Sequence, residues 1–181
     1  MTSTTRNPYL NTPDTKFNAD GDYKVTLVLD NNYETQALVA SLKAIHEQAI
    51  AQAKKDNPGK KVKTATLPIN DEAEEGKTHV SFKLKAHVTP RDGEPFDLKV
   101  ALFDAKGNPI NEKIGDGCTI RVAFEPIPFY TATVGAGLTF RLKAVQVLSL
   151  VPFDETSFSF FGFVQEDGYV DDSPVEKYAK L

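Results

Sequence analysis

Two stretches of the chain alternate strictly between apolar and polar residues. Residues 80–87 read VSFKLKAH, and residues 138–145 read LTFRLKAV. Successive side chains of a β-strand point to opposite faces, so each stretch would have one apolar face and one basic face. The pattern predicts two strands that bury one side in a core and present lysine or arginine on the other.

Alternation of this kind, bounded by turn residues, predicts five or six strands. They cover residues 23–30, 77–88, 98–104, 118–127, 129–134 and 138–151. Between the first and second strands, residues 34–55 place apolar side chains at helical spacing, which predicts one helix. The glycines of Gly135-Ala136-Gly137 predict a flexible connection before the last strand. Five or six strands with one inserted helix fit a mainly β fold, an oligonucleotide-binding (OB) fold with a Greek-key barrel.

The two ends of the chain differ from this body. Residues 1–22 are polar and interrupted by prolines, which predicts an extended N-terminal arm. Residues 23–153 hold the predicted barrel. Residues 154–181 form a C-terminal tail in which the aromatic stretch FSFFGFV, at 158–164, precedes a run of acidic residues.

The charge of the chain is unevenly distributed. The 181 residues carry a formal net charge of −4, yet seven of the 25 acidic residues lie in residues 154–176, which contain no lysine or arginine. Residues 1–153 therefore hold 18 acidic residues against 19 lysines and arginines. A body close to neutral with an acidic tail differs from a uniformly acidic protein, because the body can still present a positive face.

Cysteine usage and hydropathy set further bounds. Cys118 is the single cysteine, so a disulfide within the chain and a cysteine-cluster zinc site are excluded, and a reducing compartment is expected. Cys118 is in phase with the apolar residues of its strand and should face the core. No stretch approaches the roughly 20 apolar residues of a membrane helix. The N-terminus lacks the basic head and apolar run of a secretory signal.

The basic positions fall on the outward faces of three predicted strands. No acidic residue occurs in residues 77–91 or 126–153, so these faces could form one positive surface. Single-strand binding needs cations for the phosphates and flat side chains on which bases stack. The candidate nucleic-acid-binding cations are Lys83, Lys85, Arg121, Arg141 and Lys143 on strands and Lys60 and Lys61 in a loop. The candidate stacking residues are Tyr9, Phe129 and Tyr130, and since Phe129 and Tyr130 alternate, at most one of them should face a ligand.

Signals of catalysis or metal binding are weak. His46, His79 and His87 share no metal-ligand spacing with a carboxylate and are interpreted as surface histidines. Asn57-Pro58-Gly59-Lys60-Lys61 lacks the upstream glycine and the following serine or threonine of a phosphate loop. We therefore expect no catalytic residues, no metal and no cofactor, and a nuclease ranks third among the functions considered.

A non-enzymatic structural or interaction protein is the main alternative to a nucleic-acid-binding protein. Its basic faces would then meet an acidic protein partner, as in a virion or assembly component. Lysine and arginine also serve simply to solubilise exposed strand faces or to protect an edge strand. Three strands with the same bias, together with an acidic tail, favour nucleic acid over both.

Four segments of the chain resemble the single-stranded-DNA-binding proteins of tailed bacteriophages. In order along the sequence they are PDTKFNADGDYKVTLVLD (13–30), ALFDAKGNPI (101–110), GAGLTFRLKAVQVLSL (135–150) and FFGFVQEDGY (160–169). The resemblance implies an OB-fold barrel and sequence-independent binding of single-stranded DNA in the host cytoplasm during phage DNA replication and recombination. It leaves the oligomeric state open.

The same resemblance implies a role for the acidic tail. In that family the tail competes with DNA for the basic groove and contacts replication partners, so a phage polymerase, helicase or recombinase is the expected protein partner. Such tails often end in acidic residues followed by an aromatic residue, whereas this chain ends EKYAKL. Either this sequence is a truncation of the natural chain, or the tail works through Asp167–Asp172 instead.

Overall fold

The computed structural model describes residues 3–90 and 92–151, and the sequence predictions for the tail lie outside the described residues. The described elements, in chain order, are β1 (Ser3–Asp14), β2 (Asp22–Asp30), α1 (Tyr33–Asp56), β3 (Ile69–Asn70), β4 (Lys77–Lys85), β5 (His87–Val88), β6 (Phe96–Asp97), β7 (Ala101–Phe103), β8 (Thr119–Thr131) and β9 (Gly135–Ser149).

Five of the strands close into a barrel. β1 pairs with β2, β2 with β4 and β8 with β9 in antiparallel fashion, while β4 and β9 are parallel where they meet. Antiparallel pairing of β8 with the start of β1 completes the ring. β3 and β7 add short edges, and β5 and β6 form a separate two-stranded sheet. This closed ring with one inserted helix confirms the predicted mainly β, OB-type barrel.

The structure differs from the sequence-based expectation at the N-terminus. Ser3–Asp14 is a barrel strand, not an arm outside the domain, and it supplies the pairing that closes the ring. Ser3 and Thr5 are buried polar residues whose hydroxyls donate to the carbonyls of Ile120, at 3.0 Å, and Gly115, at 2.7 Å. These bonds satisfy polar groups inside the barrel, which explains why so polar a segment can lie there.

A β-bulge in β1 sets which of its side chains face outward. Asn7 has a φ of 49°, a left-handed conformation that asparagine tolerates, and the register of β1 against β2 shifts between Arg6 and Tyr9. Thr5 is buried before the shift and Leu10 after it, so the alternation changes phase. Tyr9 consequently faces outward, where an unbroken alternation would have turned it inward.

The helix confirms the predicted element at 34–55 within one residue at each end. Asn32 caps it, since its side-chain oxygen accepts a hydrogen bond of 3.0 Å from the backbone N–H of Thr35. Leu42 is buried in the core of the barrel, and Leu38, Ile45 and Ala49 pack against that core from the same side of the helix. These residues form the apolar stripe that the helical spacing in residues 34–55 predicts.

The barrel interior is packed by the apolar faces of the strands. Phe82 on β4, Phe124 on β8 and Phe140 on β9 form one aromatic cluster, with ring centroids 4.8 to 6.0 Å apart. Cys118 is fully buried, as predicted. The same alternation leaves Lys83, Arg121, Arg141 and Lys143 exposed on the outside, which confirms the predicted strand phases.

The predicted flexible connection at 135–137 is wrong. These three residues are buried and open β9, because the loop after α1 docks on them. Ala136 donates from its N–H to the Lys63 carbonyl at 2.9 Å and accepts from the Ala65 N–H at 2.8 Å. A Cβ atom on Gly135, whose φ is 106°, would lie 2.4 Å from the Lys63 oxygen, so glycine permits this close approach.

Other elements differ in extent from the sequence predictions. The two strands predicted at 118–127 and 129–134 are one strand, β8, which turns directly into β9. The strand predicted at 98–104 is reduced to the three residues of β7, on the edge beside β9.

The histidines also differ from the surface interpretation. His46 on α1 and His79 on β4 are buried, and only His87 is partly exposed. In the described part of the chain, no group of three or more His, Cys, Asp or Glu side chains is arranged to hold a metal ion. Over the same residues, no helix is both long and apolar enough to cross a membrane.

Candidate nucleic-acid interface

Three basic side chains meet on the outer face of the barrel. In the register of the sheet, Lys24 on β2 lies opposite Lys83 on β4, and Lys83 lies opposite Arg141 on β9. Neighbouring strands are about 5 Å apart, and opposite residues project from the same face. Lys24, Lys83 and Arg141, which we call the cationic row, therefore cross three strands side by side.

The row is bounded by an aromatic residue at one end and a carboxylate at the other. Tyr9 lies opposite Lys24, whose Nζ is 4.9 Å from the centre of the ring, a cation–π contact. Glu125 on β8 lies opposite Arg141. The β-bulge in β1 thus brings the predicted stacking residue Tyr9 into line with the predicted cations.

Acidic neighbours neutralise part of this surface. The Glu125 carboxylate lies 3.3 Å from Lys143 Nζ and 3.8 Å from an Arg141 guanidinium nitrogen. Lys24 Nζ donates to the Asp14 carboxylate, and this hydrogen bond holds the pKa of Asp14 below its ordinary value. Strand alternation in β8 places Glu125 on the outward face, and its closeness to Arg141 and Lys143 follows from the register of β8 against β9.

Lys83 and Lys85 are the cations least compensated by acids. Both are exposed on β4, two residues apart, so they project from the same face about 7 Å from each other. Among residues 3–90 and 92–151, no carboxylate oxygen lies within ion-pair distance of either ammonium group. They therefore remain available to an anionic ligand.

A first cavity of about 460 Å³ opens where β4 and β9 diverge. The two strands pair only at Lys83 and Arg141, and the lining of the cavity includes the core residue Leu138. The aromatic rings of Phe82, Phe129 and Phe140 contribute to its lining. The polar part of the lining includes Asn7, Lys24, Thr26, Thr66, Ser81, Lys83 and Thr139.

Phe129 is the member of the Phe129–Tyr130 pair that faces this cavity. It lies opposite Gly137 on β9, whereas Tyr130 lies opposite Ala136 and projects to the other side of β8. A Cβ atom on Gly137 would lie 3.1 Å from the Phe129 ring and 2.7 Å from Ala65. The glycine therefore leaves the space that the ring occupies. The prediction for Phe129 fits this geometry, and the one for Tyr130 does not.

A second cavity of about 390 Å³ lies next to the first. Lys83 and Thr139 line both cavities. The remaining lining of the second cavity combines Lys85 and Arg141 with the apolar residues Leu84, Val88, Phe96 and Leu98. We call the cationic row and the two cavities together the binding track.

Sequence reasoning missed Lys24, Thr139 and Phe96. Lys24 stands at an outward position of β2, between the inward Tyr23 and Val25, so strand alternation is the signal that finds it. Phe96 follows the turn-rich stretch PRDGEP, and its signal in the sequence is a large aromatic residue between a proline and an aspartate. Its side chain is 46% exposed.

The remaining predicted cations lie off the track. Arg121 is exposed on β8 opposite Gln146, four residues and roughly 13 Å along the strand from Glu125. Lys60 and Lys61 are exposed in the loop after α1 and line neither cavity. Lys143 lines neither cavity and forms an ion pair with Glu125 at the end of the cationic row.

Replacing Glu125 with glutamine should tighten binding of an anionic strand by about two- to five-fold at low salt, the scale of a surface ion pair. The change removes a negative charge and releases Arg141 and Lys143. Fluorescence anisotropy with a labelled oligonucleotide would measure it, with Glu47→Gln on the exposed side of α1 as a charge-matched control. An unchanged affinity at low salt would show that Glu125 does not limit these two cations.

A family model matches residues 3–150, nearly the whole described chain. Its description is "Single-stranded DNA-binding protein, Bacteriophage T7". No curated protein sequence matches the chain at a significant level.

Solved structures of bacteriophage single-stranded DNA-binding proteins are also similar to this chain. The crystal structure of gp2.5, a single-stranded DNA-binding protein encoded by bacteriophage T7, superimposes with a TM-score of 0.76 at 26% identity, covering 94% of this chain and 96% of that one. The single-stranded DNA-binding protein of bacteriophage Enc34 gives a TM-score of 0.55 at 18% identity, over 86% and 82%. Its complex with single-stranded DNA gives 0.56 at 18%, over 84% and 86%. At that identity the Enc34 structures support the fold.

Proposed function

The chain belongs to the single-stranded DNA-binding protein family of bacteriophage T7, and on that premise we propose that it binds single-stranded DNA along the binding track without reading its sequence. The observation that carries the proposal is the alignment of Lys24, Lys83 and Arg141 across three strands, beside a cavity lined by Phe129. Cations suit phosphates, and aromatic faces stack on any base.

The proposed role is protective and organisational rather than catalytic. Phosphates would lie over the cationic row while bases turn towards the first cavity, where stacking on Phe129 holds them. A single strand held in this way is kept extended and unpaired, which is what DNA replication and recombination require of their intermediates. We place this activity inside the infected host cell, and we assign the protein no chemical step.

The charge of the track sets the salt dependence of binding. Lys24, Lys83, Lys85 and Arg141 are the four cations that line it. Each phosphate neutralised on a single strand contributes about −0.7 to the slope of log affinity against log salt concentration. Neutralisation of one phosphate by each of these cations therefore gives a slope of roughly −3.

Titration of labelled oligonucleotides at several salt concentrations tests the proposal. Three mixed sequences of one length should bind alike, a duplex of the same sequence should bind more weakly, and an RNA strand would report the sugar preference. A slope near zero, or no binding below millimolar concentrations, would contradict the proposal. The second outcome would favour the acidic protein partner considered from the sequence.

We propose that the acidic tail competes with DNA for the track and contacts partners such as a phage polymerase, helicase or recombinase. The proposal rests on charge: residues 166–176 contain five acidic residues and no basic one. A tethered segment acts at an effective concentration that reaches the millimolar range for short linkers, so weak intrinsic affinity suffices.

Deleting residues 166–181 should tighten single-strand binding at low salt. The gain in affinity should shrink as salt rises, since screening weakens the attraction of both the tail and the DNA to the cations of the track. A chain of full length with the five acidic residues changed to Asn or Gln should show the same gain. Isothermal titration or anisotropy would measure both. Equal affinities of all three proteins at low salt would contradict competition by the tail.

A further inference from the structure

The small sheet of β5 and β6 holds an exposed aromatic residue, Phe96, at the second cavity of the track. Val88 lies opposite Phe96, so their side chains share one face of the sheet. On the other face, His87 Nδ1 and an Asp97 carboxylate oxygen are 2.8 Å apart. The Leu98 N–H donates to the Ala86 carbonyl at 2.8 Å and connects the sheet to the barrel.

The surroundings of this ring combine an apolar floor with positive walls. Phe96, Val88 and Leu98 line the second cavity together with three cations, Lys83, Lys85 and Arg141. Its volume of about 390 Å³ lies within the roughly 300–1,000 Å³ of typical small-ligand sites. A flat apolar group that carries an adjoining negative charge matches both features, and a nucleotide is such a group.

The second cavity adjoins the first along β4 and β9. Lys83 and Thr139 line both cavities, with Phe129 beyond them on one side and Phe96 on the other. A strand whose phosphate lies on Lys83 can therefore send one base towards each ring.

We propose that Phe96, backed by Val88, is a second base-stacking platform, which extends the binding site of a single strand beyond Lys85. The proposal rests on the proposed function, because it assigns the next nucleobase of the same ligand. It predicts that the strand spans the track from Phe129 to Phe96. Oligonucleotides too short to reach both rings should not sense Phe96.

Affinity measured against oligonucleotide length tests the platform. For oligo(dT) of increasing length, Phe96→Ala should leave the shortest ligands unaffected and weaken longer ones by about 5- to 100-fold, the range for loss of one stacked base. Phe96→Tyr should retain the affinity, and Phe96→Leu should lose most of it despite keeping an apolar side chain. Phe17→Ala, which removes an 85% exposed ring that lines neither cavity, is the control.

Photocrosslinking of the unaltered protein gives an independent readout. With 5-iododeoxyuridine in the oligonucleotide, a crosslink should appear by mass spectrometry on the tryptic peptide 92–99, in which Phe96 is the one aromatic residue. This measurement tests whether a base lies on Phe96 even if Phe96→Ala fails to fold.

The outcomes separate this inference from the proposed function. Equal length profiles for the unaltered protein and Phe96→Leu, without a crosslink on peptide 92–99, would overturn the platform. If Lys83→Ala still weakened binding in that case, the proposed function would stand. Absence of single-strand binding by the unaltered protein would overturn both.

Discussion

Changing Lys83 and Lys85 together to alanine is expected to weaken single-stranded DNA binding by at least about 100-fold at low salt, because two charged hydrogen bonds worth roughly 1.5–3 kcal/mol each are lost. These are the two cations of the track without an acidic partner among the described residues. The salt slope should become shallower by about 1.4, because the variant neutralises two fewer phosphates. Anisotropy titrations over a range of salt would measure both quantities.

The matched control removes the same two charges elsewhere. Lys54 and Lys55 are exposed in the last turn of α1 and line neither cavity. Lys54→Ala with Lys55→Ala should leave both affinity and slope nearly unchanged. If the two double variants lost affinity equally, binding would follow net charge rather than the track. Both pairs are at the surface, so the stability of each variant should stay within about 0.5 kcal/mol of the parent.

Phe129→Ala is expected to weaken single-strand binding by about 5- to 100-fold through the loss of a stacked base. Its ring lines the first cavity in the space that Gly137 leaves open. Because stacking is not screened, the loss should persist at high salt, in contrast to the loss from the lysine changes. Titrations at low and high salt would measure the difference.

Two variants control the interpretation of Phe129→Ala. Phe129→Tyr keeps the aromatic face and should bind like the parent. Tyr130→Ala removes the neighbouring ring, which projects to the other side of β8, and should leave affinity nearly unchanged. A larger loss from Tyr130→Ala than from Phe129→Ala would mean that the opposite face of β8 carries the bases.

The sequence was sufficient to predict the parts of the interface that depend on strand alternation. Lys83, Arg141 and Phe140 each follow from a period of two, and the structure confirms their outward or inward direction. The predicted barrel class followed in the same way, from short alternating strands with one helix between them. Local pattern determines these features, so no knowledge of strand pairing was needed.

Features that depend on pairing were beyond the sequence. The polar segment Ser3–Asp14 reads as an arm because its buried hydroxyls find partners more than 100 positions away. Tyr9 faces the track only because the bulge at Asn7 changes the phase of β1. The pairing of Glu125 with Arg141 depends likewise on the register of β8 against β9.

Close packing explains why the flexible connection predicted at 135–137 is wrong. Gly135 and Gly137 suggest flexibility when taken alone, yet the docked loop at Lys63 and Ala65 requires their missing side chains. Phe96 shows the converse case. Its exposure and its place in a cavity come from the pairing of β5 with β6. A turn-rich sequence does not predict that pairing.

The most direct test of the account is an NMR titration of the ¹⁵N-labelled protein with a short oligo(dT). Amide shift changes should concentrate on the track, at residues 24–26, 81–85, 96–98, 129 and 137–141. The exposed side of α1 and the region of Arg121 should change little. Changes concentrated on α1 or around Arg121, with the track unaffected, would contradict the claim that single-stranded DNA binds across β2, β4 and β9.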